Sequence, residues 1–216
     1  MALTLAVDRE QPADRPLVLA AEVIQAGGVI VYPTETVYGI GANAWDGTAI
    51  AKVRALKRRT DQKPILVIVG SRDQLASVVD GITPLAERCM DAFWPGPLTL
   101  VFKASTRVPD LLSRGTGTIG VRIPSSPVCL RLLALAGCPL TSTSANLSGM
   151  PTLHTVSEIR QVIPLGIDLV LDAGVLPPSE PSTVLDVTTA QPRLLRAGAV
   201  SEARLREVVP TLVIGA

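Results

Sequence analysis

The sequence predicts an α/β domain, a twisted open mixed sheet flanked by helices. Three observations carry this. Strand-like and helix-like segments alternate through the first half of the chain, which is the pattern of βαβ units. Extended segments cluster in the second half, which adds strands that need not all run parallel. The chain has 216 residues, 47% of them hydrophobic but only 3% aromatic, so the core must be built from Ala, Val, Leu and Ile. One domain is expected over residues 10–208, with 1–9 and 209–216 as terminal extensions.

Residues 15–26 place apolar side chains at helical spacing, and Gly27-Gly28 stop them. The β-branched run 29–32 is a strand that Pro33 ends. Helix is expected again from Thr48 to Lys57, and a buried strand over 65–69. Ser71 and Thr83 have the chemistry of N-caps, the second followed by Pro84 in its first turn. Residues 98–103 and 118–123 are strands. Ser126-Pro127 opens a helix that Gly137 closes. Residues 139–146 form a strand running into a polar loop, and Thr155 with Glu158 makes a capping box. The segments 168–174, 182–187 and 193–198 are extended, 174–182 is an irregular loop, and Ser201 opens a last helix.

Composition narrows the function. Lys plus Arg is 20 and Asp plus Glu 19, a net charge of +1, whereas general nucleic-acid binders are more basic. The three cysteines, Cys89, Cys129 and Cys138, are not at metal spacing and suit buried thiols in a reducing compartment. The N-terminus lacks the pattern of a signal peptide, and no apolar stretch approaches a membrane span, so a cytoplasmic protein without membrane contact is expected. The single histidine, His154, sits before a helix cap in polar surroundings and reads as a surface residue. There is no GxxxxGK(S/T) phosphate loop. Gly115, Gly117 and Gly120 match G-x-G-x-x-G, but they precede a strand where the dinucleotide motif opens a helix, so they read as a turn that leaves the hydroxyls of Thr116 and Thr118 available.

Five features could carry chemistry. Residues 32–39 (YPTETVYG) follow a strand and set two threonines around a carboxylate; this suits either a polar turn or a ligand loop. Lys52, Arg54, Lys57, Arg58, Arg59 and Lys63 form a basic stretch, which suits either a solvated helix end or a polyphosphate clamp. Residues 141–146 (TSTSAN) end an apolar strand in hydroxyls and an amide able to orient phosphate, ribose or a small polar substrate. Arg122 and Arg196 are lone cations in apolar strands, where a charge needs a partner, either a structural carboxylate or a bound anion.

This ordered set, with WPGPLTLV at 94–101, the VRIP segment, Ser144 and Asn146 as S-x-N, Ser182-Thr183, and LLRAG with Arg196, resembles the YrdC family of threonylcarbamoyl-AMP synthases from about residue 15 to 208. The resemblance implies the YrdC-like fold of the short, single-domain members. It implies an enzyme that makes L-threonylcarbamoyl-AMP and pyrophosphate from L-threonine, bicarbonate or CO2, and ATP. Partner proteins then transfer the group to the adenosine beside the tRNA anticodon, with direct tRNA contact possible. It further implies that Lys57 and Arg59 act at the phosphates. Thr36, Arg122, Ser142 and Ser182 would bind L-threonine, and Arg59, Lys63, Thr118, Ser144, Asn146, Thr152 and Arg196 would bind ATP. Mg²⁺ would enter on the nucleotide, with no protein metal site. Lys63 stands where some relatives have Asn, and Ile68 where some have His. Rival readings are a hydrogenase-maturation type of carbamoylating enzyme, an RNA-binding module of the same fold, and an inactive homologue.

Overall fold

A computed structural model describes residues 2–58 and 64–214. In chain order the elements are β1 (Leu3–Ala6), α1 (Asp14–Gln25), β2 (Ile30–Pro33), β3 (Tyr38–Gly41), α2 (Gly47–Leu56), β4 (Val67–Ile68) and α3 (Arg72–Val78). There follow α4 (Pro84–Phe93), β5 (Leu98–Lys103), α5 (Asp110–Ser113), β6 (Thr118–Arg122), α6 (Pro127–Ala136), β7 (Leu140–Thr141) and β8 (Thr143–Ser144). The chain ends with α7 (Val156–Val162), β9 (Leu169–Asp172), β10 (Thr183–Asp186), β11 (Arg193–Arg196), α8 (Glu202–Val208) and β12 (Val213–Ile214).

The mixed pairing expected from the sequence is present, and it is divided between two sheets. One has the order β1-β9-β2-β3-β8, the other β12-β11-β10-β5-β6-β4-β7. The first is parallel from β1 to β2 and antiparallel from β2 to β8. The second alternates parallel and antiparallel partners across its width. The run 139–146 joins them. Thr141 pairs with Val67 in the seven-stranded sheet, and Thr143 pairs with Ile40 in the five-stranded one. Ser142 lies at the crossing, its N–H donating to the Leu66 carbonyl at 2.7 Å. One short polar segment therefore holds the seam between the sheets.

The capping expectations hold. Ser71, Thr83, Ser126 and Ser201 each accept from a backbone N–H of the helix that follows, and Thr155 with Glu158 makes both bonds of the capping box. Gly137 ends α6 at φ 69°, a left-handed conformation that costs glycine least. The cap of α2 is Asp46, two residues before the expected start. Gly115 and Gly117 form a left-handed turn into β6, as read from the sequence.

Four elements lie outside the expectation: β1, β3, α5 and β12. The ends expected as extensions are edge strands, β1 against β9 and β12 against β11. The buried segment 65–69 forms a ladder only at Val67–Ile68.

The core is aliphatic, in two clusters. In the smaller, α1 and α6 cover one face of the five-stranded sheet through Leu17, Ile24, Leu132 and Leu133. Each such side chain contributes about 1.5–3 kcal/mol on burial. Tyr32 and Tyr38 are the largest fully buried side chains. The Tyr32 hydroxyl donates to the Thr141 carbonyl at 3.2 Å, and its ring lies against Gly41, where a Cβ would stand 2.5 Å from Cε1. Glycine at 41 thus lets an aromatic ring sit beneath the seam. No helix of the described residues is long and apolar enough to cross a membrane.

Candidate active site at the seam between the sheets

A cavity of about 560 Å³ opens along this seam. Its first wall is the turn from β2 to β3. Thr34 Oγ1 accepts from the N–H groups of Thr36 and Val37, both at 3.1 Å, and donates to the Val37 carbonyl at 2.7 Å. A side-chain bond of this kind closes a turn locally. It leaves Thr34 and Thr36 buried with their hydroxyls 3.0 Å apart, both lining the cavity. Of the two readings for this stretch, the geometry is that of a rigid turn whose threonines face the hollow. Glu35 stands between them, and its Oε1 is ion-paired with Arg122.

Arg122 ends β6, a central strand, and only 5% of it is exposed. Its need for a counter-charge is met by Glu35. Arg196, at the end of β11, is different. It keeps an exposed surface at the cavity mouth, where water can solvate it, and no carboxylate pairs with it among the described residues. Its Nε and Nη2 donate to the Ser182 carbonyl at 3.1 and 2.6 Å, and Nη2 also donates to Ser182 Oγ at 3.1 Å. Ser182 Oγ lies 2.9 Å from Thr99 Oγ1. Partial loss of solvent, then the charge of Arg122, holds the Arg196 guanidinium below the usual arginine range. Among the described residues, two cations therefore share the cavity, with one carboxylate, Glu35, paired to the inner one.

The third wall is the polar run. Ser142, Thr143 and Ser144 line the cavity, and Thr118 faces it from the start of β6. Thr141 is buried behind them, its Oγ1 accepting from the Ala42 N–H at 3.0 Å. Asn146 is also buried and lies outside the lining. Its Oδ1 accepts from Ser144 Oγ at 2.7 Å and from Lys57 Nζ at 2.6 Å, while Nδ2 donates to the carbonyls of Met150 and Pro151. Lys57 decides against one of the two readings of the basic stretch. It is 3% exposed, and its Nζ donates to the Ser144 carbonyl at 2.6 Å. The end of α2 packs beneath the polar run here, so Lys57 braces the wall from behind and is not a solvated helix end. Its neighbour Arg58 is exposed.

Seven of the expected site residues thus line one cavity: Thr36, Thr118, Arg122, Ser142, Ser144, Ser182 and Arg196. Lys57 and Asn146 stand behind it, and Thr152 is partly buried outside the lining. Arg59 and Lys63 lie outside the described residues. The sequence reading assigned no role to Thr34 or Thr99. Thr99 carries the signal that singled out Arg122, a polar side chain in an apolar strand.

The described lining contains no cysteine or histidine, and the described residues hold no cluster of three metal-ligating side chains. Cys129, close to the Arg122–Glu35 pair, has its thiol pushed up to about 12 by burial and is inert at neutral pH. Burial likewise raises the Tyr32 phenol. The polar part of the lining is hydroxyls and guanidinium groups, suited to hold anions and polar groups in fixed positions, and it is set among apolar side chains such as Leu66, Ile68 and Val101.

The family model Sua5_yciO_yrdC, described as telomere recombination, matches residues 22–198. The chain is 38% identical over 202 residues to a putative threonylcarbamoyl-AMP synthase of Mycobacterium tuberculosis, covering 94% of this chain and 92% of that protein. It is 34% identical over 201 residues to the threonylcarbamoyl-AMP synthase of Pyrococcus abyssi, covering 93% of this chain. It spans only 59% of that relative's length. The crystal structure of P. abyssi Sua5 complexed with L-threonine superposes with a TM-score of 0.94 at 33% identity, covering 99% of this chain and 63% of that one.

Proposed function

The chain belongs to the Sua5/YciO/YrdC family, and from that premise we propose that it is a threonylcarbamoyl-AMP synthase. The observation that carries the reading is the convergence of both expected residue sets on one cavity. Thr36, Arg122, Ser142 and Ser182 stand beside Thr118, Ser144 and Arg196. An amino acid and a nucleotide can therefore be held with their reacting ends together.

The polar groups of the lining suit this reaction. The amine of L-threonine adds to CO2 derived from bicarbonate and gives a carbamate. A carbamate oxygen attacks the α-phosphorus of ATP, the bond to the β-phosphate oxygen breaks, and pyrophosphate leaves. No protein nucleophile takes part. The chain supplies orientation and positive charge where negative charge grows. Arg122 takes the amino acid carboxylate, with Thr36, Ser142 and Ser182 fixing the rest of threonine. Arg196, Thr118 and Ser144 hold the nucleotide, together with Arg59, Lys63 and Thr152. Lys57 and Asn146 act from behind, by fixing Ser144. Mg²⁺ would arrive on ATP, held by phosphate oxygens and water because the lining offers hydroxyls and no carboxylate cluster, and would offset phosphate charge. Transfer onto tRNA falls to partner proteins, and the cytoplasm is the compartment this role requires.

The test is pyrophosphate release from ATP with Mg²⁺ and bicarbonate, with and without L-threonine, and with L-serine in its place. Release that needs both L-threonine and bicarbonate is expected. Release from no combination, with folded protein, would overturn the reading in favour of an RNA-binding or inactive relative.

A further inference from the structure

One group beside the cavity, behind its lining, is not used by this chemistry as drawn. Glu35 sits at the tip of the β2–β3 turn, one residue from each of the lining threonines Thr34 and Thr36. Its Oε1 is occupied by Arg122, itself part of the lining. Its Oε2 is buried and has no hydrogen-bond partner among the described residues. A buried carboxylate oxygen only accepts, and leaving it without a donor costs free energy that a folded protein rarely concedes without a use. The charged and titratable groups around it are Arg122 on β6, Tyr32 on β2 and Cys129 on α6. Burial raises the last two and keeps them protonated at neutral pH.

We infer that Glu35 receives the α-ammonium group of the amino acid substrate at Oε2 and accepts its proton, which makes it a catalytic residue of the reaction. The inference rests on the synthase reading for its chemistry. The substrate carboxylate takes Arg122, and Arg122 is drawn from Glu35 as it does so. That frees Glu35 Oε1 from its ion pair at the moment the ammonium arrives. The ammonium gives one proton to Glu35. The nitrogen lone pair forms the N–C bond to CO2, which leaves bicarbonate with loss of hydroxide. The second nitrogen proton goes to that hydroxide as water, leaving the carbamate, and Glu35 returns its proton to solvent. Arg122 and Glu35 together then form a recognition pair for a zwitterion.

The variant is Glu35→Gln, which keeps the size and the acceptor toward Arg122. The first arm follows threonine-dependent pyrophosphate release from about pH 7 to about pH 9. The expected loss at the lower pH is about 10²-fold or more. It should shrink as pH rises, because the free-amine fraction of L-threonine grows and needs no base. Unchanged turnover, or a loss equal at every pH, would overturn the proposal. The second arm is calorimetric binding of L-threonine against 3-hydroxybutanoate, which lacks the amine. The native chain should prefer L-threonine, and Glu35→Gln should lose that preference by about tenfold; equal discrimination in both proteins would sink it. If the native chain releases no pyrophosphate, the synthase reading falls, and the binding arm alone decides Glu35. Should Glu35→Gln not fold, Glu35→Asp keeps the charge but withdraws it by one methylene. It is then expected to lose turnover with the same pH dependence, and native behaviour of that variant would count against the inference.

Discussion

The two arginines of the cavity are held in opposite ways. Arg122 is buried on a central strand and paired with Glu35; Arg196 stands at the mouth on β11, bonded among the described residues to the carbonyl and hydroxyl of Ser182. A buried cation must carry its counter-charge inside the fold, whereas one at the rim can leave that to water. The inner end therefore presents positive and negative charge side by side, which matches an amino acid. The outer end presents positive charge alone, which matches a phosphate.

The widest separation between the two ends should come from removing each arginine in turn. Arg122→Ala leaves Glu35 buried without its partner, a loss of about 3–5 kcal/mol in unfolding free energy. If the chain stays folded, its use of L-threonine should weaken about 10²-fold while nucleotide affinity changes little. Arg196→Ala removes bonds to neutral acceptors and should cost only about 1 kcal/mol in stability. Its defect should appear in the KM for ATP. Denaturant unfolding and the two KM values check this; equal shifts in the same substrate would erase the distinction.

Next in size is Lys57→Met. It keeps the length of the side chain and removes the ammonium that bonds the Ser144 carbonyl and Asn146 Oδ1. Charge-assisted bonds of this kind contribute about 1.5–3 kcal/mol each. The wall formed by Ser142, Thr143 and Ser144 lies between the two ends, so both KM values should rise. A change confined to one substrate would mean that Lys57 serves one end and does not brace the wall.

Much of this arrangement was legible in the sequence, for local reasons. Arg122 and Arg196 stood out as lone cations in apolar strands, and Ser182 came in only with the family resemblance. The caps at Ser71, Thr83, Ser126, Thr155 and Ser201 could be read because a cap needs only its own helix start. What could not be read depends on distant pairing. β1 is four residues whose partner lies at Leu169–Asp172, and nothing local marks such an edge strand. The division into two sheets turns on Ser142 alone, within a run whose letters look like one strand and a loop. The two readings of Lys57, solvated helix end or phosphate clamp, could not be separated locally, because a Lys-Arg-Arg string at a helix end usually faces water. Only the approach of residues 144–146 buries it. Glu35 was seen between its threonines but given no role, since its ion pair joins residues 87 apart in the chain.

A test of the outer end through the backbone comes from Gly198→Ala. A Cβ at this position would stand 2.2 Å from the Pro181 carbonyl oxygen and 2.9 Å from the Ser182 carbonyl carbon and the Thr183 nitrogen. All three are backbone atoms, which cannot rotate away as a side chain tip would. The segment carrying Ser182 into β10 must move outward, at a cost of about 1–3 kcal/mol typical of overpacking. Ser182 is the anchor of Arg196, so the shift should loosen the outer cation and raise the KM for ATP. It should leave Arg122 and Glu35 in place, since neither touches this segment among the described contacts. L-threonine affinity should then change only as far as Ser182 contributes to it. Measuring both KM values in this one variant asks whether the outer end is set by backbone packing. A threonine defect as large as the ATP defect would show that Ser182 couples the two ends, and that they do not act apart.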